Sequence, residues 1–136
     1  MAEFRIGEAA ELLGVSTDTV RRWADAGRLR VTRDDNGHRL VPGEELADFV
    51  RGQHEAPGSA HSSARNRLRG IVTAITVDSV MAQVDIAAGN FRVVSLMSAE
   101  AVRDLGLEVG SVAVAVIKAT NVVLEAEQPP DVESRP

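Results

Sequence analysis

Two short runs of hydrogen-bond donors stand out in the carboxyl-terminal half of the chain. Ser63–Asn66 reads Ser-Ala-Arg-Asn, and Ile117–Thr120 reads Ile-Lys-Ala-Thr. Residues two apart share a face in an extended chain, so each run places a hydroxyl beside a cation. Guanidinium, ammonium and hydroxyl groups that converge with backbone amides suit a tetrahedral dianion, which presents only acceptors. Together the two runs predict an oxyanion site.

Lys118 is the only lysine of the chain. On a strand it would interrupt an apolar row made by Val112, Val114, Val116, Val122 and Leu124. A lysine seldom occupies such a row without a partner. An alternative interpretation is that it extends to solvent at the rim of the domain or pairs with a neighbouring carboxylate. Likewise Arg65, Arg67 and Arg69 alternate, and they are also explained as one exposed strand face.

The amino-terminal half carries helix and hairpin signals in a definite order. Gly14 ends a first amphipathic segment, and Ser16 is placed to cap a second helix. Asn36-Gly37 separates two short strand-like runs and is a strong hairpin signal. The predicted elements are helix Ile6–Leu13, helix Thr17–Ala26, strands Leu29–Thr32 and His38–Val41, and helix Pro42–Arg51.

This order of helix, turn, helix, wing and helix resembles the winged heads of MerR-like and excisionase-like proteins over residues 4–51. The matching segments are Ile6–Ala10, Val15–Trp23, Gly27–Leu29 and Asn36–Arg39. The resemblance implies that the second helix enters the DNA major groove and that the wing touches the adjacent backbone. The DNA-binding residues that it implies are Thr17, Thr19, Arg21, Arg22, His38 and Arg39.

The charge pattern agrees with this resemblance locally. The chain has a formal net charge of −5, yet the segment from Arg21 to Arg39 holds six arginines against three aspartates. Phosphate neutralisation needs only a local basic face, so an acidic total does not exclude DNA binding. The alternative is that these arginines form an ordinary solvated face.

The carboxyl-terminal half changes to a two-residue period, which is typical of strands with one buried face. The predicted elements are strands Gly70–Val77, Val80–Ala87 and Phe91–Met97, helix Ser98–Leu105 and a long last strand Val112–Leu124. This order fits a small OB-like Greek-key barrel. Phe91 is the only aromatic residue of the segment, so the stacking platforms of a single-strand nucleic-acid surface are missing.

Residues 63–125 resemble the molbindin domain (Mop, TOBE type), through the two donor runs together with Leu105–Leu107 and Val109-Gly110. The resemblance implies molybdate or tungstate as ligand and sites that form between subunits. The ligand-binding residues that it implies are Ser63, Ala64, Arg65, Ser98, Lys118, Ala119 and Thr120. Ala101 departs from the pattern, because some members place a hydroxyl there, which puts one donor in doubt.

The predicted fold class is therefore α+β with two small domains, a winged helix-turn-helix followed by an OB-like five-strand-type β-barrel. The domains are expected at 1–52 and 63–127, joined by a Gly/Ser/Pro-rich linker at 53–62 and followed by a disordered tail at 128–136. Domains of this size have marginal cores, so we expect a homo-oligomer through the barrel. The amino terminus lacks an apolar signal core, which favours the cytoplasm.

Other chemistry has little support in the sequence. The chain has no cysteine, and its three histidines (His38, His54 and His61) are scattered, so no metal site is expected. No P-loop and no nucleophile with a base at recognisable spacing are found, so we expect no enzyme and no organic cofactor. The sequence predicts a regulator that binds DNA and molybdate or tungstate. The alternative is a molybdate-buffering oligomer whose head does not regulate genes.

Overall fold

The computed structural model describes residues 2–53 and 61–127. These residues form two units, an amino-terminal head and a carboxyl-terminal barrel domain, which are described separately. Most of the predicted linker, with His54, and the predicted tail at 128–136 lie outside the described residues. Among the helices that the structure describes, none has the length and apolar character needed to cross a bilayer.

The head contains three helices and a small antiparallel sheet. Its elements are β1 (Glu3–Arg5), α1 (Ile6–Leu13), α2 (Thr17–Asp25), β2 (Thr32–Arg33), β3 (Arg39–Pro42) and α3 (Gly43–Arg51). The sheet has the order β1-β3-β2, with β2 and β3 forming the wing hairpin. All three predicted helices are confirmed to within a residue at each end. Strand β1 was not predicted, since three residues show no period and the strand exists only by pairing with β3, where Phe4 lies opposite Val41.

Local signals in the sequence explain where the helices of the head begin and end. Ser16 Oγ accepts a hydrogen bond from Thr19 N at 3.1 Å and so caps α2. Gly14 adopts φ 68°, a left-handed conformation that ends α1 at low cost only for glycine. The helices bury Ala9, Val20 and Leu46 in one core with Val41. Trp23 packs against this core.

The barrel domain contains four strands and one short helix among its described residues. Its elements are β4 (Asn66–Val77), β5 (Met81–Ala88), β6 (Phe91–Ser98), α4 (Ala99–Leu105) and β7 (Val112–Ile117), followed by a 3-10 turn at Ala119–Asn121. The sheet has the order β6-β5-β4-β7. The α+β class and the helix-turn-helix and barrel architecture are confirmed, with four strands described where the five-strand type was expected.

The first wing strand is Thr32–Arg33 rather than Leu29–Thr32. In the barrel domain, two predicted strand boundaries were wrong. The first strand begins at Asn66 rather than Gly70, and the last strand ends at Ile117 rather than Leu124. Both corrections have one cause, because β4 and β7 pair with each other and Asn66 lies opposite Ile117 as the last pair. Beyond that pair neither strand continues, and apolar periodicity along one strand cannot reveal where its partner stops.

The core of the barrel domain lies on one face of the curled sheet under α4. Val72, Val84, Ile86 and Val102 are buried there. The register of β4 against β5 shifts between Val72 and Ala74, as at a β-bulge, which bends the strand.

Candidate oxyanion site and DNA-reading surface

The β4–β7 ladder brings the two donor runs together. Asn66 lies opposite Ile117 as the last pair, so Arg65 and Lys118 are the two residues that flank this pair beyond the end of the ladder. The Asn66 side-chain amide Nδ2 donates to the Ile117 carbonyl at 3.1 Å and fastens the two runs to each other. No role was predicted for Asn66. The available signal was a side-chain amide at the first residue of the strand, directly after the donor Arg65.

The Ser63–Arg65 segment forms a compact bend ahead of β4. Arg65 Nη1 donates to the carbonyl oxygens of Ser63 at 3.1 Å and Ser62 at 3.4 Å, which holds its guanidinium beside the bend. The backbone N–H of Ala64 donates to Ser62 Oγ at 3.1 Å, so this amide already has an acceptor. Ala64 is buried and anchors the bend, while Ser63 and Arg65 are exposed. The side-chain donors are therefore presented outward.

Lys118 and Thr120 do not share a strand face, which corrects the sequence prediction. Lys118 precedes the 3-10 turn, and its carbonyl accepts from Asn121 N at 2.9 Å. Within the described chain the N–H groups of Ala119 and Thr120 make no hydrogen bond, as expected for the first residues of such a turn. The run therefore offers an ammonium, a hydroxyl and two backbone amides, all from exposed residues.

The apolar row that Lys118 was expected to interrupt is also different in the structure. Val112, Val114 and Val116 are 60%, 42% and 47% exposed, so this face of β7 points away from the core. Lys118 is thus not a charge placed in a buried row, and that part of the sequence argument was wrong. Its value as a donor rests on its position beside Arg65.

Ser98 lies in a different part of the barrel domain. It ends β6, which forms the opposite edge of the sheet from β7. The next residue, Ala99, donates its N–H to Val80 O at 2.8 Å, next to the strand end where Ala82 pairs with Val77. Ser98 therefore sits near the far end of β4, away from Arg65 and Lys118. A single chain does not bring all seven predicted ligand-binding residues together.

The hydroxyl of Ser98 nevertheless keeps a donor. Its oxygen accepts from Ala101 N at 3.0 Å and caps α4, which leaves the hydroxyl hydrogen to point elsewhere. Ala101 contributes its backbone amide to this cap, so the expected loss of a hydroxyl at that position does not disturb the capping of α4. The exposed Ser98 hydroxyl and the cationic Arg65–Lys118 end of the sheet form two separate donor sets.

The exposed face of α2 carries the predicted DNA-reading arginines. Arg21 Nη1 lies 3.3 Å from Asp18 Oδ1, and Arg22 Nη2 donates to Thr19 Oγ1 at 3.3 Å. Thr19 Oγ1 also lies 2.8 Å from Ser16 Oγ, so the capping residue, the hydroxyl and the guanidinium form one chain of hydrogen bonds. Thr17 stands at the first position of the same helix. These contacts orient polar side chains along one exposed surface.

The wing is tied to α2 by a salt bridge that the sequence did not reveal. Arg39 Nη2 lies 2.7 Å from Asp25 Oδ1, and the Arg39 side chain is only 31% exposed. Part of its charge is therefore already paired. Arg33, on the other wing strand, was missed. It is exposed, and its Nη1 donates to Gly37 O at 2.7 Å.

Asp34 shapes the tip of the wing. Its carboxylate accepts from the backbone N–H of His38 at 2.8 Å and of Asn36 at 3.0 Å. The bond from His38 N–H is the main cause that holds the pKa of Asp34 below its ordinary value. His38 Nδ1 lies 3.4 Å from the same carboxylate. The exposed imidazole of His38 therefore lies next to the negative charge of Asp34.

Comparisons with known proteins agree with both units. The description "MerR family regulatory protein" matches residues 5–41, and "TOBE domain" matches residues 62–124. A probable molybdenum-pterin-binding protein of Haemophilus influenzae is 48% identical over 67 residues, which cover 48% of this chain and 96% of that protein. The chain belongs to the molbindin family. The suspected resemblances are thereby confirmed, and this molbindin carries a MerR-family head.

Two further similarities concern the barrel of this molbindin. The molybdenum transport protein ModE of Herbaspirillum seropedicae is 40% identical over 67 residues, which cover 48% of this chain but only 25% of ModE. A solved structure of the cytoplasmic molybdate-binding protein ModG, with molybdate bound, is 41% identical and covers 51% of this chain and 49% of that one, with a TM-score of 0.45. The two families that match, MerR and TOBE, are DNA-binding and molybdate-binding families.

Proposed function

We propose that this molbindin is a DNA-binding transcriptional regulator that senses molybdate or tungstate. The barrel domain binds the oxyanion and the MerR-family head reads duplex DNA. The observation that carries the first half is the end of the β4–β7 ladder, whose last pair is flanked by Arg65 and Lys118, together with the backbone amides of Ala119 and Thr120, which make no hydrogen bond among the described residues. The relatives named for molybdenum-pterin binding and molybdenum transport support the same ligand.

The ligand site is completed between subunits in this proposal. One chain supplies the cationic set, Ser63, Ala64, Arg65, Lys118, Ala119 and Thr120, and a neighbouring chain supplies Ser98. This division explains why Ser98 lies near the far end of β4. Arg65 and Lys118 are exposed in one chain. An anion bound to them there would be screened by water and salt, which weakens the attraction. A second copy would exclude that water.

The donor set also predicts which anions bind. Molybdate near pH 7 carries no proton and offers only acceptors, which suits a site made of donors. Hydrogen phosphate keeps a proton that such a site cannot accept. Sulfate is smaller, so a site spaced for longer metal–oxygen bonds leaves donors unmet, at about 1 kcal/mol or more for each buried one. Calorimetry should rank molybdate and tungstate above sulfate and phosphate.

The head gives the protein a second binding function. Arg21 and Arg22 project from α2, and the wing presents Arg39 and His38, in the positions that read DNA in winged heads. A buffering oligomer needs no such surface, which is why regulation is the preferred proposal. We also propose that the protein has no catalytic activity and acts in the cytoplasm, where its ligand and DNA are both available.

The deciding experiment is a mobility shift on the promoter region next to the protein's own gene, with and without molybdate. Arg22→Ala should weaken specific binding by roughly 1 to 3 kcal/mol and leave molybdate affinity unchanged. Arg51→Ala is the matched control, since Arg51 lies at the end of α3 and pairs with Asp48. If the parent protein binds molybdate but no duplex, the buffering alternative holds. If Arg22→Ala binds DNA like the parent, Arg22 is not on the reading surface.

A further inference from the structure

A row of three arginines on the barrel domain extends beyond the oxyanion site. Arg65, Arg67 and Arg69, here called the arginine row, alternate along the first half of β4 and are all exposed. Only Arg65 belongs to the proposed ligand site. Arg67 and Arg69 form no salt bridge with any residue in the described segments 2–53 and 61–127.

Among the described residues, the strand partners of the row carry no carboxylate. Arg67 lies opposite Val116 and Arg69 opposite Val114 on β7. On the other side of β4, pairing with β5 begins only at Ile71, so this half of the strand has one bonded neighbour. The acidic groups of the sheet are engaged elsewhere, since Asp85 pairs with Arg92 at 2.6 Å and Asp78 caps a turn beyond the far end of β4.

We infer that the arginine row is a second, sequence-independent contact for the phosphate backbone of the duplex that the head reads. The charges of the row and of a phosphate backbone are complementary, and guanidinium groups bind phosphate through two parallel bonds. Strand residues two apart are separated by about 6.6 Å. Neighbouring phosphates of one DNA strand are separated by a comparable distance, because the strand winds around the axis while it rises about 3.4 Å per nucleotide, so the row is spaced to contact neighbouring phosphates.

The row compensates for a feature of the whole chain. A net charge of −5 opposes approach to DNA, and the head concentrates its positive charge in the α2 and wing region. A second basic strip on the barrel domain would add phosphate contacts without adding base contacts. It would therefore raise affinity and salt dependence but not sequence preference. This inference rests on the proposed DNA-binding function.

The test is the salt dependence of duplex binding by the full chain, measured by fluorescence anisotropy without molybdate. The double variant Arg67→Gln/Arg69→Gln should reduce the slope of log K against log salt by about 2, because each phosphate contact contributes about 0.9. Preference for the specific duplex over a scrambled one should stay unchanged. Arg103→Gln, which removes the same kind of charge from exposed Arg103 in α4, should leave the slope as in the parent.

Each outcome has a distinct meaning. A parent protein that binds no duplex contradicts the proposed function itself, and with it this inference. A parent that binds while the double variant keeps the parent slope overturns the inference alone. The third outcome is a double variant whose mass in light scattering differs from that of the parent. In that case the row contacts an acidic segment of a second copy, such as Glu125 and Glu127, and the inference is again overturned.

Discussion

Lys118 carries the only side-chain amine of the protein, which makes it directly observable. If it binds the oxyanion, molybdate should slow its reaction with an amine-specific reagent, measured by mass spectrometry, while sulfate should not. Lys118→Ala should lower molybdate affinity about tenfold to a hundredfold, since a hydrogen bond to a charged group contributes about 1.5 to 3 kcal/mol. Lys118→Arg is the matched control and should keep part of the affinity. Equal reactivity with and without molybdate would mean that Lys118 does not bind the oxyanion and extends to solvent at the rim of the domain.

Asp85 gives a second prediction for a single residue. Its carboxylate accepts from Arg92 Nη2 and Nε and from Gln83, and the bond from Arg92 is the main cause that holds the pKa of Asp85 below its ordinary value. A lowered folded-state pKa stabilises the protein above the unfolded value, about 4, and this stabilisation is lost as the pH falls through the folded value. Asp85→Asn should therefore unfold more easily at pH 7 than the parent.

The pH dependence provides the control for Asp85. The difference between Asp85→Asn and the parent should shrink as the solution is acidified below about pH 4, and it should disappear once the pH has fallen through the lowered folded-state pKa of Asp85, where the parent carboxylate is protonated too. Asp104→Asn, an exposed change on α4, should show no such convergence. Denaturant unfolding curves across this pH range measure it. A constant difference at all pH values would mean that the side-chain amide, and not the lost charge, causes the effect.

At the scale of residues, the sequence predicted local roles, such as caps and turns, better than contacts between distant residues. Ser16 and Asn36-Gly37 act locally, and the structure places the predicted cap and turn at these positions. The Arg39–Asp25 salt bridge was not foreseen because the two residues meet only when the wing folds against α2. The oxyanion-site residues remain predictions, since the position of a bound ligand depends on contacts that no spacing rule contains.

Among the elements, β4 depends on one glycine. A Cβ at Gly70 would collide with the Ala87 carbonyl oxygen and lie 2.7 Å from Ile86 Cγ2. Gly70→Ala should therefore lower the free energy of unfolding by about 1 to 3 kcal/mol, which scanning calorimetry can measure. Gly7→Ala is the control, since a Cβ there meets nothing within 4 Å and lies in a helix, where alanine is favoured over glycine. Unchanged stability of Gly70→Ala would show that β4 can move away from β5.

Strand β7 shows why element boundaries were harder to predict than the elements themselves. Its valine period continues in the sequence through Val122 and Leu124, and the prediction followed it. The strand stops at Ile117 because residues 63–65 bend away ahead of β4 and offer no partner beyond Asn66, and Lys118–Asn121 turns instead. Helices were predicted closely because caps such as Ser16 and Gly14 act within a few residues. Sheet pairing is a property of two distant segments.

At the scale of the whole molecule, the sequence anticipated two small units and left open how each completes its burial. The head closes around its own core. The barrel domain does not, because its described residues leave large apolar side chains exposed on both edge strands, including Leu96 at 71% and Val112 at 60%. Exposed apolar surface of this kind marks a contact with another molecule. The sequence identifies these side chains as apolar, but its periodicity does not show that they lie on faces left uncovered within one chain.

The last prediction concerns assembly through the β7 face. The exposed valines there lie on the strand that Lys118 directly follows. A second copy that covers them would therefore also shield the cationic end of the ligand site, including Arg65, and would bring its own Ser98 there. Light scattering of the full chain should give a mass above that of one chain, and molybdate should stabilise it. Val114→Glu should lower both the mass and the molybdate affinity, because the site is shared. Leu12→Glu, at a 56% exposed position in α1 of the head, should change neither. A parent protein that stays monomeric with molybdate bound would contradict both the assembly and the shared site.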